Sequence, residues 1–255
     1  MKRKQLNVKK NVILIILAVF CIIFGIYAVW KVYHHFEVKK QIELRNQKGI
    51  LLCFDDYSYQ TWEDNFDLFD KYGVKVTFFV NLSEPTDFCA EAVERGHEIG
   101  FHTVGHVRLT EASKEEFYQQ AIAPIEVFCE QGYELTTFAY PYGAYEDWMN
   151  TELLKYYKTT RGASHYMGYY KESVPGGFIE ARSIDNGEFE SEEHYKETID
   201  EYLDILCGCE DGTIAVMFSH AIDGGTWCIA PERLEYLFQE AQKRGLQFYT
   251  FKDLQ

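Results

Sequence analysis

Short apolar runs, each closed by Gly, Pro or a polar cluster, recur along residues 49–255, and the apolar positions between them fall at helical spacing. GILLCF (49–54) reads as a buried strand that ends at Asp55-Asp56. Trp62, Phe66 and Phe69 recur at i, i+4 and i+7, which predicts a helix over 60–72 closed by Gly73. VKVTFFV (74–80) reads as a strand, 86–95 as a helix and HEIGF (97–101) as a short strand. A longer helix is expected over 113–131, opened by the capping box of Ser113 and Glu116. LTTFAY (135–140) reads as a strand followed by a turn at Pro141 and Gly143, and 146–160 as a helix with a short strand. The glycine-, tyrosine- and serine-rich stretch 161–177 reads as loop. FIEARSI (178–184), a helix over 191–206, TIAVMFS (213–219), a helix over 231–244 and LQFYTF (246–251) complete the chain. Strands and helices alternate seven or eight times. That alternation predicts an α/β fold with parallel strands, closed as a (β/α) barrel in one uninterrupted domain over 49–255.

The N-terminal pattern differs. Residues 11–30 (NVILIILAVFCIIFGIYAVW) carry no charge. At about 1.5 Å per residue they match the roughly 30 Å hydrocarbon core of a bilayer. The tail 1–10 carries Lys2, Arg3, Lys4, Lys9 and Lys10, and such a flank stays in the cytoplasm. The run exceeds a signal-peptide core and lacks a clear cleavage site, so it reads as one transmembrane signal-anchor helix rather than a cleaved leader. The expected arrangement is single-pass in the cell membrane, with a polar stalk over 31–48 and the body outside. Charge follows the same division. Residues 1–48 hold ten basic and two acidic side chains; the rest holds 15 and 38. A body with that acidic excess repels phosphate backbones, which excludes nucleic acid as a partner. Six of the seven cysteines lie beyond the apolar run, with no spacing that defines a disulfide framework. Cys207 and Cys209 read as small hydrophobes or a redox-sensitive pair rather than metal ligands.

Polar residues interrupt the apolar pattern where strands end. Asp55 and Asp56 follow the first strand, His102 and His106 the third, Tyr140-Pro141-Tyr142-Gly143 the fourth, and His220 the seventh. A barrel gathers such positions at one mouth. An Asp pair after a strand is also a common turn or helix cap, and a lone histidine at a strand end is often structural. Two imidazoles four residues apart, with one carboxylate, form the three-ligand set of a catalytic divalent-metal site. Zn²⁺ is the first candidate, and Co²⁺, Ni²⁺, Mn²⁺ or Fe²⁺ suit the same donors. Asp223 or Asp185 is the candidate partner for His220. Tyr140, Tyr142 and Trp148 are candidates for stacking on sugar rings.

Taken in order, LCFDD (52–56), GHEIGFHTVGH (96–106), FAYPYG (138–143) and VMFSH (216–220) resemble the motifs of the polysaccharide deacetylases, carbohydrate esterase family four or NodB homology domain. Val76–Val80 resembles the family's second strand. The resemblance implies a distorted (β/α) barrel that hydrolyses acetyl groups on polysaccharides with a divalent metal. It implies Asp55 as general base, Asp56, His102 and His106 as metal ligands, His220 as general acid, and the Tyr142 N–H at the oxyanion, with Tyr140, Pro141 and Phe218 beside substrate. Many members carry Arg, paired with the catalytic Asp, where this chain has Ala139; Arg182 is the expected substitute. N-acetyl removal from peptidoglycan or another N-acetylhexosamine polymer is the first functional expectation. An O-acetyl, xylan-type esterase comes second, and a non-catalytic glycan-binding module third.

Overall fold

The computed structural model describes residues 22–36, 47–171 and 177–255. Contacts divide the chain into two units, Met1–Leu44 and Arg45–Gln255. In the first unit, residues 22–36 form helix α1, whose apolar side chains, such as Phe24 and Val29, are exposed. No helix among the described residues is long and apolar enough to cross a membrane, and residues 11–21 of the run lie outside them. The second unit begins before Gly49, because Lys48 donates to the Cys207 carbonyl at 2.6 Å and the Tyr249 hydroxyl donates to the Gln47 carbonyl.

Seven parallel strands close into a barrel. They are β1 (Gly49–Asp56), β2 (Thr77–Val80), β3 (Glu98–Phe101), β4 (Thr137–Ala139), β5 (Thr159–Ser164), β7 (Gly177–Ser183) and β8 (Thr213–Ser219). Each pairs with the next, and β8 returns to β1 over Gly49–Phe54. Two strands decorate this ring: β6 (Gly168–Lys171) runs antiparallel beside β8, and β11 (Gln247–Tyr249) pairs with the first three residues of β1. A parallel pair, β9 (Ala221–Ile222) and β10 (Cys228–Ile229), lies beyond β8. Around the ring run α2 (Tyr59–Glu63), α3 (Phe66–Tyr72), α4 (Asp87–Glu94), α5 (Lys114–Ala121), α6 (Pro124–Glu130), α7 (Asp147–Leu153), α8 (Glu192–Gly208) and α9 (Pro231–Lys243).

The differences from the sequence pattern have local causes. The helix expected over 60–72 breaks into α2 and α3 at Asp64-Asn65. That over 113–131 breaks at Pro124, whose missing N–H and fixed φ suit the first turn of a new helix. The Ser113 cap forms as expected, its hydroxyl accepting from the Glu116 N–H at 3.1 Å. Among its described residues, the stretch 161–177, expected as loop, is mostly strand. It supplies most of β5 and all of β6, while residues 172–176 lie outside the described set. All six cysteines of the body are free.

Strand alternation builds two cores. Ile50, Leu52 and Phe54 point outward, where Phe54 meets Trp62 and Phe69 of the helical layer. The alternate set, Leu51, Cys53 and Asp55, is equally buried and fills the barrel interior. Gly100 is required there: a Cβ would lie 2.5 Å from the Phe79 ring and 2.9 Å from the Thr137 hydroxyl. Toward the barrel floor, fully buried Glu98 accepts from the hydroxyls of Thr77, Thr136 and Thr137 and from the Lys252 N–H, at 3.0–3.2 Å. Burial raises its carboxyl above the ordinary value, and those donors oppose the rise. Replacing Glu98 by Ala would strand three buried hydroxyls and the part-buried Lys252 N–H. The expected cost is about 3 kcal/mol or more, read as a lower urea midpoint; a wild-type midpoint would contradict this role.

Candidate active site

The C-terminal strand ends hold the site together by forcing the backbone. Four non-glycine residues among those described have positive φ: Asp56 (86°), Thr103 (65°), His106 (50°) and Tyr142 (61°). All four belong to the turns that carry the sequence-predicted site residues. Such conformations are costly, most of all for β-branched Thr103, and persist only where surrounding bonds fix them. Those bonds are present. Asn81, just past β2, donates through Nδ2 to the His102 and Thr103 carbonyls. Gln120 of α5 accepts from the Val104 N–H at 3.1 Å through its carbonyl and from the Gly105 N–H at 2.9 Å through Oε1.

This bracing brings Asp56, His102 and His106 together, their potential ligand atoms all within 4.8 Å of one another. His102 Nδ1 lies 2.8 Å from the Ala139 carbonyl; as an N–H it donates there, which leaves Nε2 as the free lone pair. Nε2 of His106 and of His102 approach Asp56 Oδ1 at 3.1 and 3.4 Å. Asp56 Oδ1 is buried and has no hydrogen-bond partner. Burial opposes ionisation of Asp56, but the imidazoles of His102, His220 and His106 outweigh it and hold the carboxyl below its ordinary range. Burial, followed by His102, pushes the His106 imidazole down. Two imidazoles, one carboxylate and an unsatisfied buried oxygen between them fit a divalent cation.

Asp55 is buried, and both its carboxylate oxygens accept from Arg161 Nη2. Arg161, on β5, is fully buried between the rings of Phe79 and Phe218, 5.2 and 4.7 Å from its guanidinium carbon. This corrects the expectation for Arg182, which bonds Glu188 at 2.7 Å instead. Register explains the difference. Arg161 pairs with Ile179 on β7, three residues before Arg182, and Arg182 alternates out of phase with buried Ala181 and Ser183. Arg161 also pairs with Ala139 on β4, so the cation enters from the strand next to the one the motif predicts. Sequence reading missed Arg161 because Gly162 and the tyrosines after it outweighed the Thr159-Thr160 strand signal.

Of the two candidate partners for His220, the structure selects Asp185. Its Oδ2 lies 2.8 Å from His220 Nδ1. Asp185 is fixed in turn by the Ser219 hydroxyl at 2.5 Å and the Ser183 hydroxyl at 3.0 Å. The indole N–H of Trp62 donates to the His220 carbonyl at 2.7 Å. Burial lowers the imidazole's affinity for a proton, but Asp185 overrides it and His220 is pushed up to about 9.

Asp55, Asp56, His102, His106, Arg161 and His220 share one cavity of about 710 Å³. Tyr140, Tyr142, Arg182 and Phe218 also line it. Tyr140 is buried, with its hydroxyl donating to Asn150 Oδ1 at 2.9 Å, and offers no stacking face. Pro141 is buried and outside the lining. Trp148 is not at the site either; it packs on Phe117 at 5.0 Å and donates to Glu146. The His220 shift has a direct test. In Asp185→Asn the imidazole should titrate well below about 9, followed by NMR. A raised folded value also means that the stabilisation by His220 is full below pH 6.5 and is lost as pH rises through about 9. An unmoved imidazole in the variant would contradict the assignment to Asp185.

Comparison with known proteins agrees with this geometry. Residues 43–160 match the family model described as polysaccharide deacetylase. The peptidoglycan-N-acetylglucosamine deacetylase PgdA of Listeria monocytogenes is 34% identical over 105 residues, 39% of this chain and 22% of that protein. The chain thus spans about a fifth of the length of that relative. Among solved structures, the Xyl-CE4 domain of a multidomain xylanase from the hindgut metagenome of Trinervitermes trinervoides superposes with a TM-score of 0.58 at 21% identity, over 82% of this chain and 90% of that one. The Bc1960 peptidoglycan N-acetylglucosamine deacetylase gives 0.54 at 19% identity, over 80% and 86%. At these identities the superpositions speak for the fold. Residues 43–160 are thus similar to the polysaccharide deacetylases, and the barrel shares the fold of the solved carbohydrate esterase domains.

Proposed function

We propose that this chain removes N-acetyl groups from an N-acetylhexosamine polymer, with cell-wall peptidoglycan as the first candidate. One observation carries the reading: three metal-type donors, an arginine-held carboxylate and an aspartate-backed imidazole open into the same cavity. Asp56, His102 and His106 would hold a divalent cation, zinc first. A cation bound there supplies a Lewis acid for the acetyl carbonyl and acidifies a water toward neutral pH. The remaining work falls to the chain's own groups. Asp55, kept in place by Arg161, accepts the proton of the attacking water. The Tyr142 N–H, in the turn that its positive φ defines, donates to the oxyanion. His220 has Nδ1 committed to Asp185, so Nε2 delivers the proton to the departing amine. An amide needs that proton more than an ester does, because an amide anion is a poor leaving group, and a His220 held protonated to about pH 9 suits amide cleavage.

Attachment to the cell membrane is part of this proposal and rests on the uncharged run 11–30 and its basic flank. It predicts that alkaline carbonate leaves the full-length protein in the membrane fraction; release into the wash contradicts it. For the chemistry, the full-length protein loaded with Zn²⁺ or Co²⁺ should release acetate from N-acetylglucosamine oligomers and peptidoglycan. Asp55→Asn should lower that rate by roughly 100-fold or more. Acetate from acetylated xylan alone would move the assignment to an esterase. No acetate and no stoichiometric metal would leave a glycan-binding module.

A further inference from the structure

We propose that Trp227 is the platform of a second sugar subsite, which holds the ring next to the one that reacts. The inference rests on the reading of the cavity as a glycan deacetylase site and adds a residue that none of the motifs contains.

Trp227 lines the same cavity as Asp56 and His220, yet it leaves 70% of its surface exposed. Its loop, 223–227, is tied on several sides. Asn186 Nδ2 donates to the Asp223 and Gly225 carbonyls at 3.3 and 2.9 Å, and Asn186 Oδ1 accepts from the Ala230 N–H at 3.1 Å. The Gly187 N–H donates to the Thr226 carbonyl at 2.9 Å. Asp223 Oδ1 accepts from the Gly225 N–H at 2.6 Å. Position 187 has to be glycine for this latch, since a Cβ would lie 2.7 Å from Thr226 Cγ2. Strands β9 and β10 pair on either side of the loop.

The loop is therefore built to present the indole, not to bury it. A large apolar ring fixed in water stabilises nothing in the fold, and its position at the cavity mouth gives it a binding use. The ligand class follows from the surface offered. A flat, uncharged aromatic face matches the C–H face of a pyranose ring, and in a polymer that ring is the neighbour of the acetylated residue in the cavity. Tyr142 presents the cavity's other exposed aromatic face, 57% exposed, but the Arg108 guanidinium covers its ring at 4.3 Å. Among the described residues, Trp227 is the uncovered one of the two.

The test compares N-acetylglucosamine with its tetramer on the full-length, metal-loaded protein. Trp227→Ala should lower the tetramer-to-monomer ratio of kcat/KM by roughly tenfold, through KM rather than kcat. Trp227→Tyr should restore most of the ratio, as stacking requires an aromatic face and nothing more. An unchanged ratio in Trp227→Ala, or a Tyr variant as poor as the Ala variant, overturns the proposal. Should the wild type hydrolyse neither sugar, the deacetylase reading fails and a binding readout decides the subsite. In chelator-treated protein, tetramer should quench indole fluorescence, and Trp227→Ala should abolish the quench. Equal quenching in both proteins overturns the subsite. Both variants should keep the wild-type urea midpoint, because the ring is exposed.

Discussion

A carboxylate sealed inside a barrel needs a cation beside it, and the pairing of Asp55 with Arg161 is the constraint around which this interior is arranged. An isolated charge at that depth would cost several kcal/mol. A long cationic side chain must therefore cross the lumen, and the neighbours make room for it. Ala139, its register partner, is small; Phe79 and Phe218 sandwich the guanidinium; Gly100 lets Phe79 lie flat across β3. A buried ion pair is poor evidence of stability, since matched apolar residues often serve a fold as well. What the pair gives here is placement. It fixes Asp55 at the end of β1 immediately before Asp56, so that one carboxylate faces the guanidinium and the next joins His102 and His106.

The same economy governs the mouth. Positive φ at Asp56, Thr103, His106 and Tyr142 departs from what local preference favours, and the departures sit on the residues whose side chains or N–H groups the proposed chemistry uses. Asn81 and Gln120 hold the histidine loop against that strain. On the opposite side of the reaction, Asp185 is itself fixed by Ser183 and Ser219 before it fixes His220. Groups that the proposed chemistry uses are thus set by partners that other elements position.

Most of the barrel was legible in the sequence because its strands are continuous β-branched and aromatic runs between helix-period segments. The metal-type triad was legible for the same reason: its residues interrupt apolar strands at their ends. The failures have physical sources. Gly162 and the tyrosines of 165–170 look like loop, yet β5 and β6 accept them because neighbouring strands supply the hydrogen bonds. Arg161 was hidden by that misreading, and Arg182 was chosen because sequence reports proximity to a strand end but not its register or phase. Trp148 was a candidate for stacking on sugar rings as an aromatic face; the α7 helix carries it to Phe117 instead. Trp227 drew no notice because nothing periodic surrounds it.

Arg161 of β5, register-paired with Ala139 of β4, supplies the cation for Asp55, and that placement is the point to test. The most direct measurement is kcat/KM for acetate release by Arg161→Met and by the double variant Arg161→Met with Ala139→Arg. The single change should reduce kcat/KM by roughly 100-fold or more. The second change restores a guanidinium at the register-paired position and should recover at least tenfold of that loss. An Arg161→Met enzyme with wild-type kcat/KM, or a fully folded double variant no better than the single one, would contradict the account.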